Sequence, residues 1–158
     1  MTHEGADDVA GTSVHGLLLI VVGASIEAEV TDRPLAYRLQ GEIAAAPVGD
    51  GAVGGEMNDR GRLTPVVCTD LWYLNTQPLR LRPTIAIGSP ESNAATAFLA
   101  TRMPTALVVE ERYRIQLDPE YMEMKACLWG TSDRDTAAAV DVFVDRYLAE
   151  FLRNARGL

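Results

Sequence analysis

Six apolar residues in a row, Leu17 to Val22, are followed at once by Gly23-Ala24-Ser25. A short run without polar alternation is typical of a strand that is buried on both faces, as in a parallel sheet. Leu63 to Thr69, Thr84 to Ile87 and Thr105 to Val109 have the same character. The chain is therefore predicted to contain several buried strands, each followed by a break.

Helical periodicity lies between these strands. Leu35, Leu39 and Ile43 recur at four-residue spacing, and they predict a helix with Asp32 as its N-cap and Pro34 just inside it. Ser132 is the predicted cap of a last, long helix with an apolar stripe. Alternating segments 112–117 and 122–129, joined by a turn at Asp118-Pro119, predict an antiparallel hairpin.

Together these patterns predict a three-layer, Rossmann-like α/β fold with a largely parallel sheet, a C-terminal antiparallel hairpin and a long final helix. Residues 1–16 show little periodicity and are expected to form a flexible N-terminal tail. Residues 17–158 are expected to form a single α/β domain. Within it, the glycine-rich segment 47–62 is predicted to be a flexible loop that either covers a site or varies freely.

The overall charge narrows the possible partners. The 158 residues have a formal net charge of −8, which disfavours nucleic acids. Arg60, Arg62, Arg80 and Arg82 lie in one region and suggest a local basic patch, although solvated loop arginines are the simpler interpretation. No stretch approaches the roughly 20 apolar residues of a membrane span, and the acidic N-terminus is unlike a secretory signal. A cytoplasmic protein without a membrane partner is expected.

Cysteine and histidine are too sparse to indicate a metal or a catalytic thiol. Cys68 and Cys127 lie inside apolar runs with no second cysteine nearby, so reduced core thiols are expected and no metal site is predicted. His3 and His15 are the two histidines, which leaves a Ser-His-Asp triad without an obvious base. The sequence identifies no cofactor.

The stretch Thr84 to Ala94 suggests a binding site. Gly88 supplies a turn after a strand, Ser89 is a possible helix cap, and Pro90 suits a first helical position. A helix that starts there directs free N–H groups at the sheet edge, which favours an anion, although a capped helix start without a ligand fits equally. Four strand ends of this kind are expected to meet on one rim. The predicted ligand-binding residues are Gly23, Ser25, Asp70, Gly88, Ser89, Ser92, Asn93 and Gly130.

Catalytic motifs give little support for an enzyme. The turn is neither a dinucleotide-binding nor a P-loop motif, and Lys125 is the single lysine of the chain. Asp70 follows a strand beside Trp72 and Tyr73, so it is a candidate general base or metal ligand. The alternative is an acidic cap over a structural aromatic cluster.

The segment Ile85-Ala86-Ile87-Gly88-Ser89-Pro90-Glu91-Ser92-Asn93 resembles the Gly-Gly-Pro-x-x-Asn turn of α/β domains in archaeal surface-layer-like sequences, with Ser89 replacing the second glycine. The segments Cys68 to Asn75 and Cys127 to Gly130 are similar to uncharacterised bacterial α/β proteins. These resemblances imply an α/β fold with a turn at one strand end, and they imply no activity.

The functional expectation is a non-catalytic or accessory α/β binding module. It binds a small anionic ligand at the carboxyl-terminal rim of the strands and self-associates. One alternative is a small hydrolase that uses Asp70 and the Gly88 turn. Another is an interaction protein that docks a partner through the hairpin edge or the C-terminal helix. The partner is then either a different protein or a second copy of the chain.

Overall fold

The computed structural model describes residues 14–47 and 61–156. Within these ranges the chain forms six strands and six helices. In chain order they are β1 (Leu17–Val22), α1 (Ile26–Ala45), β2 (Thr64–Thr69), α2 (Asp70–Asn75), α3 (Gln77–Arg80), β3 (Thr84–Ile87), α4 (Ala94–Ala100), β4 (Thr105–Val109), β5 (Tyr113–Leu117), β6 (Lys125–Gly130), α5 (Asp133–Arg146) and α6 (Leu148–Ala155).

The six strands form one mixed sheet in the order β2-β1-β3-β6-β5-β4. β2, β1, β3 and β6 are parallel to one another, whereas β5 and β4 continue the sheet in antiparallel pairs. Tyr113 lies opposite Gly130 and Leu117 lies opposite Ala126 in the β5–β6 pair. The predicted α/β class and the largely parallel sheet are confirmed, with an antiparallel end.

Helices cover both faces of the sheet, and this explains the unbroken apolar run of β1. Leu18, Ile20 and Val22 pack in the core that α1, α5 and α6 share. Leu19 and Val21 face the opposite side, where they pack in the core with α2 and α4. Burial of each aliphatic side chain stabilises the folded protein by about 1.5–3 kcal/mol. The side chains on both faces of β1 therefore stabilise the position of this strand between the two helical layers.

The first helix begins earlier than the sequence predicts. Ser25 is its N-cap, and the Ser25 hydroxyl oxygen accepts a hydrogen bond from the Ala28 N–H at 3.2 Å. Asp32 therefore lies in the second helical turn with its side chain buried, and its predicted capping role is wrong. Pro34 lies inside the helix, on its exposed side, where water can satisfy the carbonyl that loses its usual N–H partner.

The predicted long final helix is two helices. Tyr147 separates α5 from α6 with φ −120° and ψ −26°, outside the helical region. The apolar stripe continues across the break, because Phe143 and Phe151 meet edge to face with ring centroids 5.8 Å apart. A stripe of apolar residues thus predicts the buried face correctly but does not reveal the break.

Several smaller expectations also change. β4 is an edge strand whose residues are exposed or half-buried, so the prediction of a buried strand there is wrong. The segment after Thr76, for which the sequence predicts no helix, contains the short helix α3. Residues 14–16, expected in the tail, form a turn in which the Gly16 carbonyl accepts a hydrogen bond from the Thr64 N–H at 2.8 Å.

The remaining predictions of a tail and of a glycine-rich loop concern residues 1–13 and 48–60, which lie outside the described residues. Of the helices in the described ranges, none combines the length and the apolar character needed to cross a membrane.

Candidate functional site

The carboxyl ends of the four parallel strands meet at one edge of the sheet, as the sequence predicts. Val22 of β1 lies opposite both Thr69 of β2 and Ile87 of β3, and Ile87 lies opposite Leu128 of β6. The helix after β1 packs on one face of the sheet, whereas the helix after β3 packs on the other. Such a change of side opens a crevice between neighbouring strand ends.

Two connected hollows form this crevice. The larger has a volume of about 510 Å³, and four carboxyl groups and six hydroxyl groups line it: Glu27, Asp32, Glu91 and Asp133, with Thr31, Ser89, Ser92, Thr131, Ser132 and Thr136. The second, of about 480 Å³, shares Ser89, Glu91, Gly130 and Thr131 and adds Arg112, Arg114 and Trp129 among others. We call the two hollows together the rim crevice.

Asp32 is the unusual group of the rim crevice. It is 5% exposed, and its side-chain hydrogen bond among the described residues comes from Thr31 Oγ1, 3.4 Å from Oδ1. The same hydroxyl also lies 2.9 Å from the Glu27 carbonyl oxygen, to which it donates. The Asp32 carboxylate therefore has one long, shared side-chain hydrogen bond in the described part of the chain.

The electrostatic state of Asp32 follows from this environment. The pKa of Asp32 is raised to about 6: burial is the main cause, the weak Thr31 contact opposes it, and the nearby Asp133 and Glu27 carboxylates add to it. Burial disfavours the charged form of a carboxyl group, and a like charge nearby acts in the same direction. Asp32 thus changes its charge close to neutral pH.

The turn after β3 is held by Asn93 rather than by Ser89. The Asn93 side-chain amide donates to the carbonyl oxygens of Val21 and Ile87, at 3.0 and 2.9 Å. Its oxygen accepts from the N–H groups of Ala95 and Thr96, so Asn93 is the N-cap of α4 and all its hydrogen bonds are used. The predicted helix start at Ser89 and Pro90 is wrong.

The backbone of this turn offers few free donors to an anion. The N–H groups of Ser92 and Asn93 donate to the Ser89 carbonyl, and the Gly88 N–H donates to the Leu128 carbonyl. The Ser89 and Ser92 hydroxyl oxygens lie 3.3 Å apart and face the rim crevice. Binding of an anion at this turn stays a prediction, and the internal hydrogen bonds give it no support.

Gly23 and Gly130 allow chain segments to approach closely. A Cβ on Gly23 would lie 2.0 Å from the Ser92 carbonyl oxygen, and one on Gly130 would lie 2.4 Å from the Asp135 Cβ. Gly130 also lines the rim crevice, while Gly23 lies beneath the Ser92 turn. Ser25 caps α1 at an exposed position.

Asp70 links two helices on the other face of the sheet. It is 5% exposed, and its two oxygens accept hydrogen bonds from the N–H groups of Leu71 at 2.7 Å and Ala94 at 2.8 Å. Asp70 does not appear among the residues that line the rim crevice. The geometry gives it a structural role, and its catalytic role stays a prediction.

Sequence reasoning missed two parts of the rim. The first is Asp32, although it falls at helical spacing with the buried Ala28, Ala36 and Leu39 once the helix begins at Ile26. A carboxylate at a position of the apolar stripe would have indicated a buried acidic residue. The second is the Arg112–Asp135 ion pair at 2.9 Å, which joins residues 23 apart in the chain and has no local signature.

The described residues contain no group of three His, Cys, Asp or Glu side chains that could hold a metal ion. Cys68 and Cys127 are buried and unpaired, and burial raises the pKa of each thiol to about 12. Neither thiol is therefore ionised near neutral pH.

No protein-family model matches the chain, and no curated protein matches it in sequence. The resemblance of the Gly88 turn to surface-layer-like domains stays a prediction. The function has to be argued from the rim crevice itself.

Proposed function

We propose that this protein is a non-catalytic binding module with a Rossmann-like arrangement, and that its rim crevice binds a small organic cation. The observation that carries the proposal is Asp32, a buried carboxyl group that lines the larger hollow and has one long, shared side-chain hydrogen bond among the described residues. Burial of a weakly paired carboxylate is costly, so such a group is a candidate for direct contact with a ligand.

The charge of the lining favours a cation over the anion expected from sequence. Four carboxyl groups line the larger hollow, and no arginine or lysine is among the described residues that do so. An anion would enter against this field, whereas an ammonium group would supply the donors that Asp32 lacks. The ligand is organic, since the carboxylates of the described residues do not cluster closely enough for a metal.

The size and polarity of the crevice suit a small hydroxyl- or amine-bearing molecule. A volume of about 510 Å³ falls within the common range for ligand pockets of about 300–1,000 Å³. Six hydroxyl groups line the same hollow as Asp32 and can orient such a ligand through hydrogen bonds. Trp129, in the adjoining hollow, offers an apolar surface to the rest of it.

The hydrolase alternative has weaker support. It requires Asp70 to reach a substrate, but both carboxylate oxygens of Asp70 accept backbone hydrogen bonds, one from Leu71 in the same helix and one from Ala94 in α4. Use of Asp70 as a base would break a contact that positions the Gly88 turn. A substrate screen in which Asp70→Asn alone abolishes turnover, without a loss of thermal stability, would favour the hydrolase instead.

Calorimetric titration with a panel of small amines and matched anions tests the binding proposal. We expect at least one amine to bind with saturation, and Asp32→Asn to weaken it at least tenfold, since it removes a charge-assisted hydrogen bond of about 1.5–3 kcal/mol. Asp145→Asn, an exposed carboxylate on α5, is the matched control and should leave binding intact. Binding of anions alone, or amine binding that survives Asp32→Asn, would refute the proposal.

A second candidate function is self-association beside the edge strand β2. Ile26 and Val30 on α1 are 85% and 70% exposed, and Leu71 and Trp72 on α2 are also exposed. These helices pack on the two sides of β2. The surfaces expected from sequence are less suitable, because Met124 before β6 and Phe151 in α6 are buried in the core.

Sedimentation of the wild type and of Val30→Glu tests this second candidate. Val30 is exposed on a helix, so the charge should not disturb the fold, and a dimer formed there should dissociate. A wild-type protein that stays monomeric at about 100 μM would exclude a functional homodimer through this surface.

A further inference from the structure

A smaller pocket lies at the opposite end of the sheet from the rim crevice. It has a volume of about 230 Å³ beside the first residue of β6, and its lining includes Tyr73, Arg80, Phe98, Leu99, Arg102 and Lys125. Tyr73 and Leu99 belong to the core that α2 and α4 share with the sheet. We call it the basal pocket.

We propose that the basal pocket binds a small carboxylate with an apolar, ring-sized body. The proposal rests on three features of the pocket: cations without ion-pair partners, a buried guanidinium donor without an acceptor, and an apolar wall. It does not depend on the function proposed for the rim crevice.

The first feature is positive charge that is not neutralised. Arg80, Arg102 and Lys125 line the basal pocket with Glu123 as the one carboxylate, and none of these four takes part in an ion pair in the described part of the chain. Such a group is unexpected in a protein with a net charge of −8. An anionic ligand would supply the missing counter-charge.

The second feature is a buried donor. The Nε of Arg80, which lines the basal pocket, is buried and has no hydrogen-bond partner among the described residues. Buried polar groups are nearly always paired in native proteins, so each orphan needs an explanation. A carboxylate has two acceptor oxygens with the geometry that a guanidinium group recognises.

Lys125 fixes the shape of the basal pocket rather than contacting the ligand. Its Nζ donates to the carbonyl oxygens of Arg80 and Arg82, and the Thr84 hydroxyl lies 3.5 Å away. The pKa of Lys125 is lowered to about 8: burial is the main cause, Glu123 opposes it, and the neighbouring Arg82 adds to it. A bound anion would stabilise the ammonium form and raise this pKa.

The third feature is the apolar wall, which sets the class of ligand. Phe98 lines the basal pocket and is 36% exposed, and the guanidinium of Arg102 lies 4.1 Å from the centroid of its ring. A flat ring can pack against this surface while its carboxylate faces the arginines. A volume of about 230 Å³ lies below the usual range for drug-sized ligands, so the body must be small.

Benzoate is a suitable probe, and the single lysine of the chain gives a direct readout. In protein labelled with ¹³C-lysine, the Lys125 Cε signal should shift saturably with benzoate, and its titration midpoint should rise. Benzyl alcohol lacks the charge and inorganic phosphate lacks the ring, so each should bind at least about tenfold more weakly. Amines that fill the rim crevice should leave this signal unchanged.

Arg102→Gln tests the arginine directly, because Arg102 is exposed and its replacement should not disturb the fold. It should weaken benzoate binding about tenfold, through loss of a charge-assisted contact. Arg134→Gln removes the same charge from α5 at the other end of the sheet and should have no effect. No saturation at about 10 mM benzoate, equal binding by Arg102→Gln, or equal binding of benzyl alcohol or phosphate would overturn the proposal.

Discussion

The carboxylate of Asp32 lies directly against Gly88: a Cβ on Gly88 would stand 2.8 Å from Asp32 Oδ2. Asp32 belongs to α1, whereas Gly88 follows β3, so this contact joins the two elements that border the rim crevice. Gly88 also has a φ of 117°, a conformation that residues with a side chain rarely adopt. Both the space and the backbone angle therefore require glycine at this position.

Gly88→Ala should destabilise the protein by about 1–3 kcal/mol, since the methyl group meets Asp32 and the backbone is strained at a positive φ. Urea denaturation monitored by circular dichroism measures this change. Gly41→Ala is the matched control: Gly41 lies inside α1, and a methyl group there would meet nothing within 4 Å beyond the backbone of its own helix. That substitution should stabilise by about 0.5–1 kcal/mol, and equal effects of the two would contradict the proposed contact.

Asp32→Asn should stabilise the ligand-free protein above pH 7 and leave it unchanged below about pH 4. The folded-state pKa of Asp32 is raised to about 6 by burial, so the wild type is favoured while Asp32 is protonated. This stability is lost as the pH rises through the folded-state pKa. The expected gain of the variant at pH 8 is about 2–3 kcal/mol by urea denaturation, since each pKa unit corresponds to about 1.4 kcal/mol. A constant difference at all pH values would show that ionisation is not its cause.

The fold was predictable because its strongest signals are local. The run Leu17 to Val22 has both faces apolar, and the structure places alternate residues of it in two separate cores. The breaks after the strands also lie at one edge, since parallel strands share a direction. These features depend on residues that are close together in the chain.

The candidate site was less predictable, because it depends on helix boundaries and on distant contacts. Asp32 and Pro34 each suit a helix start, and this local preference places the predicted cap well after Ser25, where the helix is capped in the structure. Placing the cap at Asp32 instead of Ser25 turned a buried carboxylate into a supposed surface cap. Tyr147 shows the same limitation, since an apolar stripe does not reveal a single non-helical residue.

Asn93→Ala should destabilise the protein by about 2–4 kcal/mol, more than the loss of an ordinary helix cap. The change leaves the carbonyl groups of Val21 and Ile87 without their donor and removes the cap of α4. Asn154→Ala is the control, because Asn154 makes one exposed bond to the Glu150 carbonyl. The control should change stability by less than about 0.5 kcal/mol in the same urea titration. Similar losses for the two variants would rule out the bridging role of Asn93.

Asp135→Asn should change the acid side of the stability profile, in the opposite sense to Asp32→Asn. Partial burial acts to raise the pKa of Asp135, but hydrogen bonds from Arg112 and from the Ser132 and Thr131 hydroxyls outweigh it and lower the pKa. The stability that Asp135 contributes is therefore present above its unfolded-state pKa of about 4 and is lost as the pH falls through the lower folded-state value. The variant should be less stable than the wild type at pH 7, and the difference should shrink towards pH 2 in thermal melts. A difference that grows on acidification would show that the Arg112 pair does not hold Asp135 in its charged form.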